Sequence, residues 1–242
     1  RGRIDRGQKV AKILAANTDV IAVIGHRDSE VAIAASIIYE KAGILFISHE
    51  AMNPIFTEAT GQLTFSNIIT EKDAGSQMGI FFEASNISDV VILAESSGIG
   101  TYERIAASFW GYVSSAKIDL VAFRSYFMVH AYQRLGRQSW VQTDFLDLLW
   151  GLKKDYKFKS IFIAGDVNGA GKLIKQARML GIDVPILAVG EGVDTPRLGE
   201  IAGQAARGVI VASILNPEGK KTIEFIQNFQ KYFGSRPGMP SA

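Results

Sequence analysis

The sequence predicts an α/β fold of parallel strands flanked by helices, and three observations carry that expectation. Short β-branched runs alternate with longer segments of helical period, the pattern of repeated βαβ units. Each run is almost continuously apolar instead of alternating, as a strand covered on both faces must be. Glycines stand where two of the helices should stop, at Gly43 and Gly181. The strands expected are Val20–Ile24, Ile44–Ile47, Val90–Leu93, Leu120–Phe123, Ile161–Ile163, Ile186–Val189 and Val209–Val211. The helices expected are Ser29–Lys41, Asp73–Glu83, Thr101–Ser114, Thr143–Lys153, Gly171–Leu180 and Glu218–Phe233, with Ser29 as the N-cap of the first. Residues Arg124–Gln142 break the rhythm, carrying Tyr126, Phe127, Tyr132 and Trp140 among polar neighbours. They read as an irregular aromatic loop, either beside a cleft or interface or packed on its own lobe.

Composition narrows the function classes. The 242 residues are 48% hydrophobic and 21% charged, with a mean hydropathy of +0.14, which suits a folded chain with one large core or two small ones. The net charge is +2. The basic clusters, Lys153, Lys154, Lys157 and Lys159, and Lys220 and Lys221, lack the interleaved aromatics of a nucleic-acid platform, so no nucleic-acid partner is expected. Cysteine is absent, which removes disulfides, thiolate nucleophiles and cysteine metal sites. His26, His49 and His130 are scattered and no pair has the spacing of a helical zinc site, so no metal is expected. Apolar stretches such as Val20–Ile24 are too short to span a bilayer, and Arg1-Gly2-Arg3 is not followed by a signal-peptide core.

Several motifs invite catalysis and fail on chemistry. Gly165–Leu173 follows a strand and opens a helix like a phosphate loop, but five residues stand between Gly165 and Gly171-Lys172, and Leu173 replaces the hydroxyl that should hold magnesium. Gly98-Ile99-Gly100 also follows a strand, yet Glu103 stands where a dinucleotide fingerprint needs its third glycine. No serine sits in a G-x-S-x-G elbow. Asp166 and Glu191 could form an acid/base pair, although nothing in the spacing fixes their separation. Binding therefore explains these residues with fewer demands, and no catalytic residue and no cofactor are expected.

Four segments, in order, resemble the type I periplasmic binding proteins of the leucine/isoleucine/valine-binding kind. They are Val20–Ser29 with Tyr39–Ile44, Ile47–Pro54 with Leu63–Phe65, Val91–Gly100, and Val189–Val193 with Ile201–Gly208. The resemblance implies two Rossmann-like lobes around a ligand cleft, with lobe I formed by residues 1–70 plus 217–242 and apparently incomplete, and lobe II by residues 71–216. It implies that Ser29 binds a ligand carboxylate, where helix N-terminal amides and dipole favour an anion, or serves as an N-cap alone. Glu191, between two glycines after a strand, would accept from a ligand ammonium, its alternative being a solvated loop acid. Asp166 falls where relatives often carry a tyrosine and is either a second acceptor or a turn aspartate. Glu50, Ala51 and Met52 would line the first-lobe side, with Met52 replacing a threonine, and Ile99 would replace a cleft tyrosine. The lost hydroxyls and the three acids suggest a ligand that is larger, more apolar or cationic.

The expected function is that of an extracytoplasmic, periplasmic solute-binding protein, its export signal outside this chain. It would capture an amino acid or similar small polar molecule by lobe closure and deliver it to an ABC transporter permease. The alternatives are a ligand-sensing extracytoplasmic domain of a receptor or signalling protein, and an α/β enzyme using Asp166 and Glu191. A dimer through the incomplete lobe I edge is a further expectation.

Overall fold

The computed structural model describes residues 3–58, 61–96, 100–127, 130–132, 138–140, 144–213, 216 and 218–235. The chain divides into two compact units, Arg1–Gln77 and Met78–Ala242. The predicted α/β class with parallel sheets holds in both.

In the first unit the elements run α1 (Ile4–Ala15), β1 (Ala22–Ile24), α2 (Ser29–Lys41), β2 (Leu45–Ser48), α3 (Ile55–Glu58), β3 (Thr64–Ser66) and the first half of α4 (Glu71–Ala84). The three strands form a parallel sheet in sequence order, with Val23 opposite Phe46 and Phe46 opposite Thr64. Alanines at 11, 32 and 35 are fully buried and let α1 and α2 approach closely over the aromatic core of Tyr39, Phe46 and Phe56. The Phe46 and Phe56 rings meet edge to face at 5.3 Å, a geometry favoured by the ring quadrupoles. Glu40, near the end of α2, accepts from the amides of Gln62 at 3.1 Å and Leu63 at 3.0 Å and so ties β3 to the helix.

The second unit contains the rest of α4, then β4 (Val90–Glu95), α5 (Thr101–Ser115), β5 (Leu120–Tyr126), β6 (His130–Tyr132), β7 (Gln138–Trp140), α6 (Leu146–Asp155) and β8 (Ser160–Ala164). It continues through α7 (Val167–Met179), β9 (Ile186–Val189), α8 (Pro196–Ala202), a 3-10 turn, β10 (Ile210–Val211) and α9 (Lys220–Phe233). Five parallel strands stand in the order β10-β9-β8-β4-β5. Every residue of β4 and β8 is buried, which explains their unbroken apolar runs. On one face Val91, Leu93, Ile161 and Ile163 pack with Leu149 of α6 and Leu173 and Ile174 of α7. On the other, Phe162 stacks on Phe109 of α5 at 3.9 Å, and Phe109 meets Phe82 of α4 edge-on at 5.4 Å.

The structure corrects several expectations. Asp28 is the N-cap of α2 and Ser29 its first residue. Helix α7 begins at Val167 instead of Gly171, because the Asp166 side chain accepts from the amides of Asn168 and Gly169 and caps the glycine-rich stretch into a helical turn. The stretch expected to be an irregular aromatic loop starts as strand: β5 runs to Tyr126, whose ring is buried, and β6 pairs antiparallel with β7. Short elements β3, α3 and α8 were absent from the pattern-based reading. Gly43 and Gly181 do follow their helices, at φ +70° and +66°.

The Phe162–Phe109–Phe82 column predicts a graded cost. Phe109→Ala should lose about 3–5 kcal/mol of unfolding free energy, the range for a buried aromatic truncation, whereas Trp150→Ala, at a side chain 58% exposed, should lose less than about 1 kcal/mol. Urea unfolding of the two variants checks the difference.

Candidate functional site

The order of the five-stranded sheet locates a site before any side chain is considered. From β4 the chain moves through α5 to β5 on one side, and from β8 through α7 to β9 on the other. Helix α5 covers one face and α7 the other. The connections leaving the carboxyl ends of β4 and β8 therefore diverge, the switch point at which open α/β sheets bind ligands.

Acidic and phenolic groups occupy that point. Glu95 is the last residue of β4 and is only 3% exposed. Its Oε2 accepts from the amide of Asp166, the residue that follows β8 and the connecting Gly165, at 2.9 Å. Asp166 Oδ1 accepts from the amides of Asn168 and Gly169 at 2.8 Å each. Those two first-turn donors are thus occupied, and a phosphate could not use them. Glu191 lies after β9, and its carbonyl accepts from the amide of Val167 at 2.9 Å. Tyr102, in the first turn of α5, bonds to the Glu191 backbone. Tyr126 projects from the end of β5 towards Gly165 and Gly169.

Two glycines are required by this crowding. A Cβ at Gly165 would strike the Tyr126 hydroxyl and lie 3.0 Å from Glu95 Oε2. A Cβ at Gly190 would strike the carbonyl oxygen of Gly165, and its φ of +144° excludes other residues.

Burial, reinforced by the charges of Asp166, Glu103 and Glu191, pushes the Glu95 carboxyl up to about 7, against an opposing hydrogen bond from the Asp166 amide. Burial and the neighbouring carboxylates likewise push the Tyr102 and Tyr126 phenols above their ordinary value. Glu95 and Tyr102 were not identified from sequence, and Tyr126 only as one aromatic of the segment Arg124–Gln142. The available signal was Glu95 closing an otherwise apolar strand before Ser96-Ser97-Gly98, and Tyr102 standing just after the helix-opening Gly100.

The first unit gathers the other expected residues at the carboxyl end of β2 and the start of α2. Ser29 Oγ accepts from the Asn53 amide at 3.3 Å, and the Ala51 amide donates to Ser48 Oγ at 3.1 Å. The Met52 carbonyl accepts from the Glu71 amide at 2.9 Å. Glu50 pairs with Arg27 at 2.6 Å and lies 3.3 Å from His49 Nε2, so Arg27 offsets the negative field expected of it. Ile99 lies outside the described residues. Among the described residues no group of three histidine or acidic side chains is placed to hold a metal ion, and no helix is long and apolar enough to cross a membrane.

No family model matches the chain. Among curated proteins it is similar to a Leu/Ile/Val-binding protein of Citrobacter freundii, 27% identical over 216 residues, 87% of this chain and 54% of that protein. Among solved structures, an ABC transporter substrate-binding protein from Desulfitobacterium hafniense superposes with a TM-score of 0.76 at 26% identity, covering 98% of this chain and 64% of that one. A structure of such a protein from the same organism in complex with Leu gives 0.74 at 25% identity, with the same coverage. The chain spans about half the length of the curated relative it matches.

Because the folded Glu95 carboxyl holds its proton more tightly than an unfolded one, its contribution to stability is fully present below about pH 4.5 and is lost as pH rises through about 7. The loss is on the order of 2–3 kcal/mol. Urea unfolding at pH 5 and pH 8 should show it, and Glu95→Gln, which cannot ionise, should remove most of the difference between the two pH values.

The resemblance read from four sequence segments is borne out, and the chain has the fold of the type I periplasmic binding proteins.

Proposed function

We infer that this chain belongs to an extracytoplasmic solute-binding protein that captures an amino acid or similar small polar molecule by closure of two lobes and hands it to an ABC transporter permease. The observation that carries the reading is the sequence likeness to Leu/Ile/Val-binding protein over 87% of the chain. The acidic groups at the strand ends supply its chemistry. In this reading the carboxylates bind and do not turn a substrate over, and the protein acts in the periplasm or an equivalent extracytoplasmic space.

Each candidate residue then has a task set by its chemistry. Ser29 and the first amides of α2 receive a carboxylate, since a helix N-terminus carries partial positive charge. Ala51 and Met52 shape the wall beside it, and Glu50 is held in place by Arg27. Glu191 accepts from the ligand ammonium, a charge-assisted bond. Asp166 commits its amide to Glu95 and both carboxylate oxygens to the first turn of α7, which leaves a shaping and electrostatic role.

Ligand binding to the native state raises the melting temperature by mass action. A panel of amino acids and small organic acids should therefore contain at least one compound that shifts melting of the chain upward, and a flat response across the panel counts against transport binding. For an amine-bearing ligand found this way, Glu191→Gln should weaken affinity by about 1.5–3 kcal/mol, measured by isothermal titration calorimetry. An unchanged affinity removes Glu191 from the ammonium site.

A further inference from the structure

The carboxyl ends of all three strands of the first unit are tied to one buried residue. Ser48 closes β2 and is fully buried. Its Oγ donates to the carbonyl of His26, just past the end of β1, at 3.0 Å, and accepts from the amide of Ala51, in the loop after β2, at 3.1 Å. Its own carbonyl accepts from the amide of Asn67, the residue that follows β3, at 3.3 Å. Ser36, equally buried in α2, gives the contrast: its hydroxyl donates to the Ile33 carbonyl of its own helix at 2.8 Å, a bond local to that helix.

The loops that Ser48 joins are those that present the carboxylate-receiving residues. Ser29 Oγ accepts from the Asn53 amide at 3.3 Å, and among the described residues nothing takes the Ser29 hydroxyl proton. Ser29 is thus held by Asn53, and the loop of Asn53 is held by Ser48 through Ala51. The Arg27–Glu50 pair spans the same two loops at 2.6 Å, but its side chains are 54% and 24% exposed, and an ion pair open to water contributes little. The Ser48 bonds are made away from water, where an amide or carbonyl that loses its partner is not compensated. The sheet itself does not call for a hydroxyl here. Phe46, on the same face of β2, meets Tyr39 and Phe56 through its ring, and an alanine at position 48 would end the strand with no side-chain polar group to satisfy.

Resting on the binding reading above, we propose that Ser48 is a positioning residue for the ligand carboxylate. It touches no ligand. Through His26 and Ala51 it fixes the loop that enters α2 against the loop that carries Asn53, so that the Ser29 proton and the first amides of α2 face the carboxylate together. Its loss therefore acts on the part of the affinity that the carboxylate supplies and spares the part supplied by the ammonium and the side chain.

Isothermal titration calorimetry of the 242-residue chain with leucine and leucinamide, at a pH where both keep their ammonium, separates those parts, because leucinamide has no carboxylate. Ser48→Ala should weaken leucine about tenfold, the effect of stranding a buried hydrogen-bonding group, and change leucinamide far less. Ser48→Thr, which keeps a hydroxyl, should restore most of the leucine affinity. Melting curves establish that each variant is folded; if Ser48→Ala is not, Ser48→Cys, with a weakly bonding thiol in place of the hydroxyl, is read in the same way. Leucine affinity unchanged in the variant, equal weakening of leucine and leucinamide, or a folded Ser48→Thr that binds leucine no better than Ser48→Ala overturns the proposal and leaves the binding reading intact. Wild-type chain that binds neither compound, or both equally, also overturns it, and the wider panel of amino acids and organic acids then judges the binding reading separately.

Discussion

The hydrogen bond from the Asp166 amide to Glu95 joins the two sides of the larger sheet at the place where they part. It links the end of β4 to the start of α7 at 2.9 Å, and much of the local geometry follows from it. With the Asp166 backbone held there, its side chain is free to fold back and cap α7. The approach of the β8 turn to the β9 turn then requires Gly165 and Gly190. Removing the carboxylate would leave a buried amide without its acceptor at the centre of the unit, so the acid is structural before it is functional.

Much of this fold was legible in the sequence because burial on both faces leaves a simple signature. Val90–Leu93 and Ile161–Ile163 read as strands because helices cover them above and below. β3 escaped because Thr64-Phe65-Ser66 is three residues long, lies at a sheet edge and mixes polar with apolar residues. The start of α7 was placed late because Gly165, Gly169 and Gly171 lower helix propensity, and only the three-dimensional cap at Asp166 overrides that preference.

The site was legible in part, and the division has a physical cause. Glu191 stood out because two glycines flank it after an apolar run, a local pattern. Glu95 did not, because an acid closing a strand looks the same whether it points to solvent or into a cluster. Its burial depends on Asp166, 71 positions further along, and on Tyr126 at the end of a strand whose last three residues the sequence presented as loop. Long-range pairing of this kind leaves no periodic trace in one sequence.

Magnitudes explain why the cluster holds a proton. The N-terminal ends of α5 and α7 lie at the carboxyl ends of the strands, where each helix dipole stabilises a nearby anion by about 0.3–1 kcal/mol. The Asp166 amide adds a charge-assisted bond of about 1.5–3 kcal/mol. Against these stands the loss of hydration at a residue 3% exposed, several kcal/mol for a buried ion, together with repulsion from three carboxylates. The unfavourable terms win by the margin that raises the carboxyl to about 7.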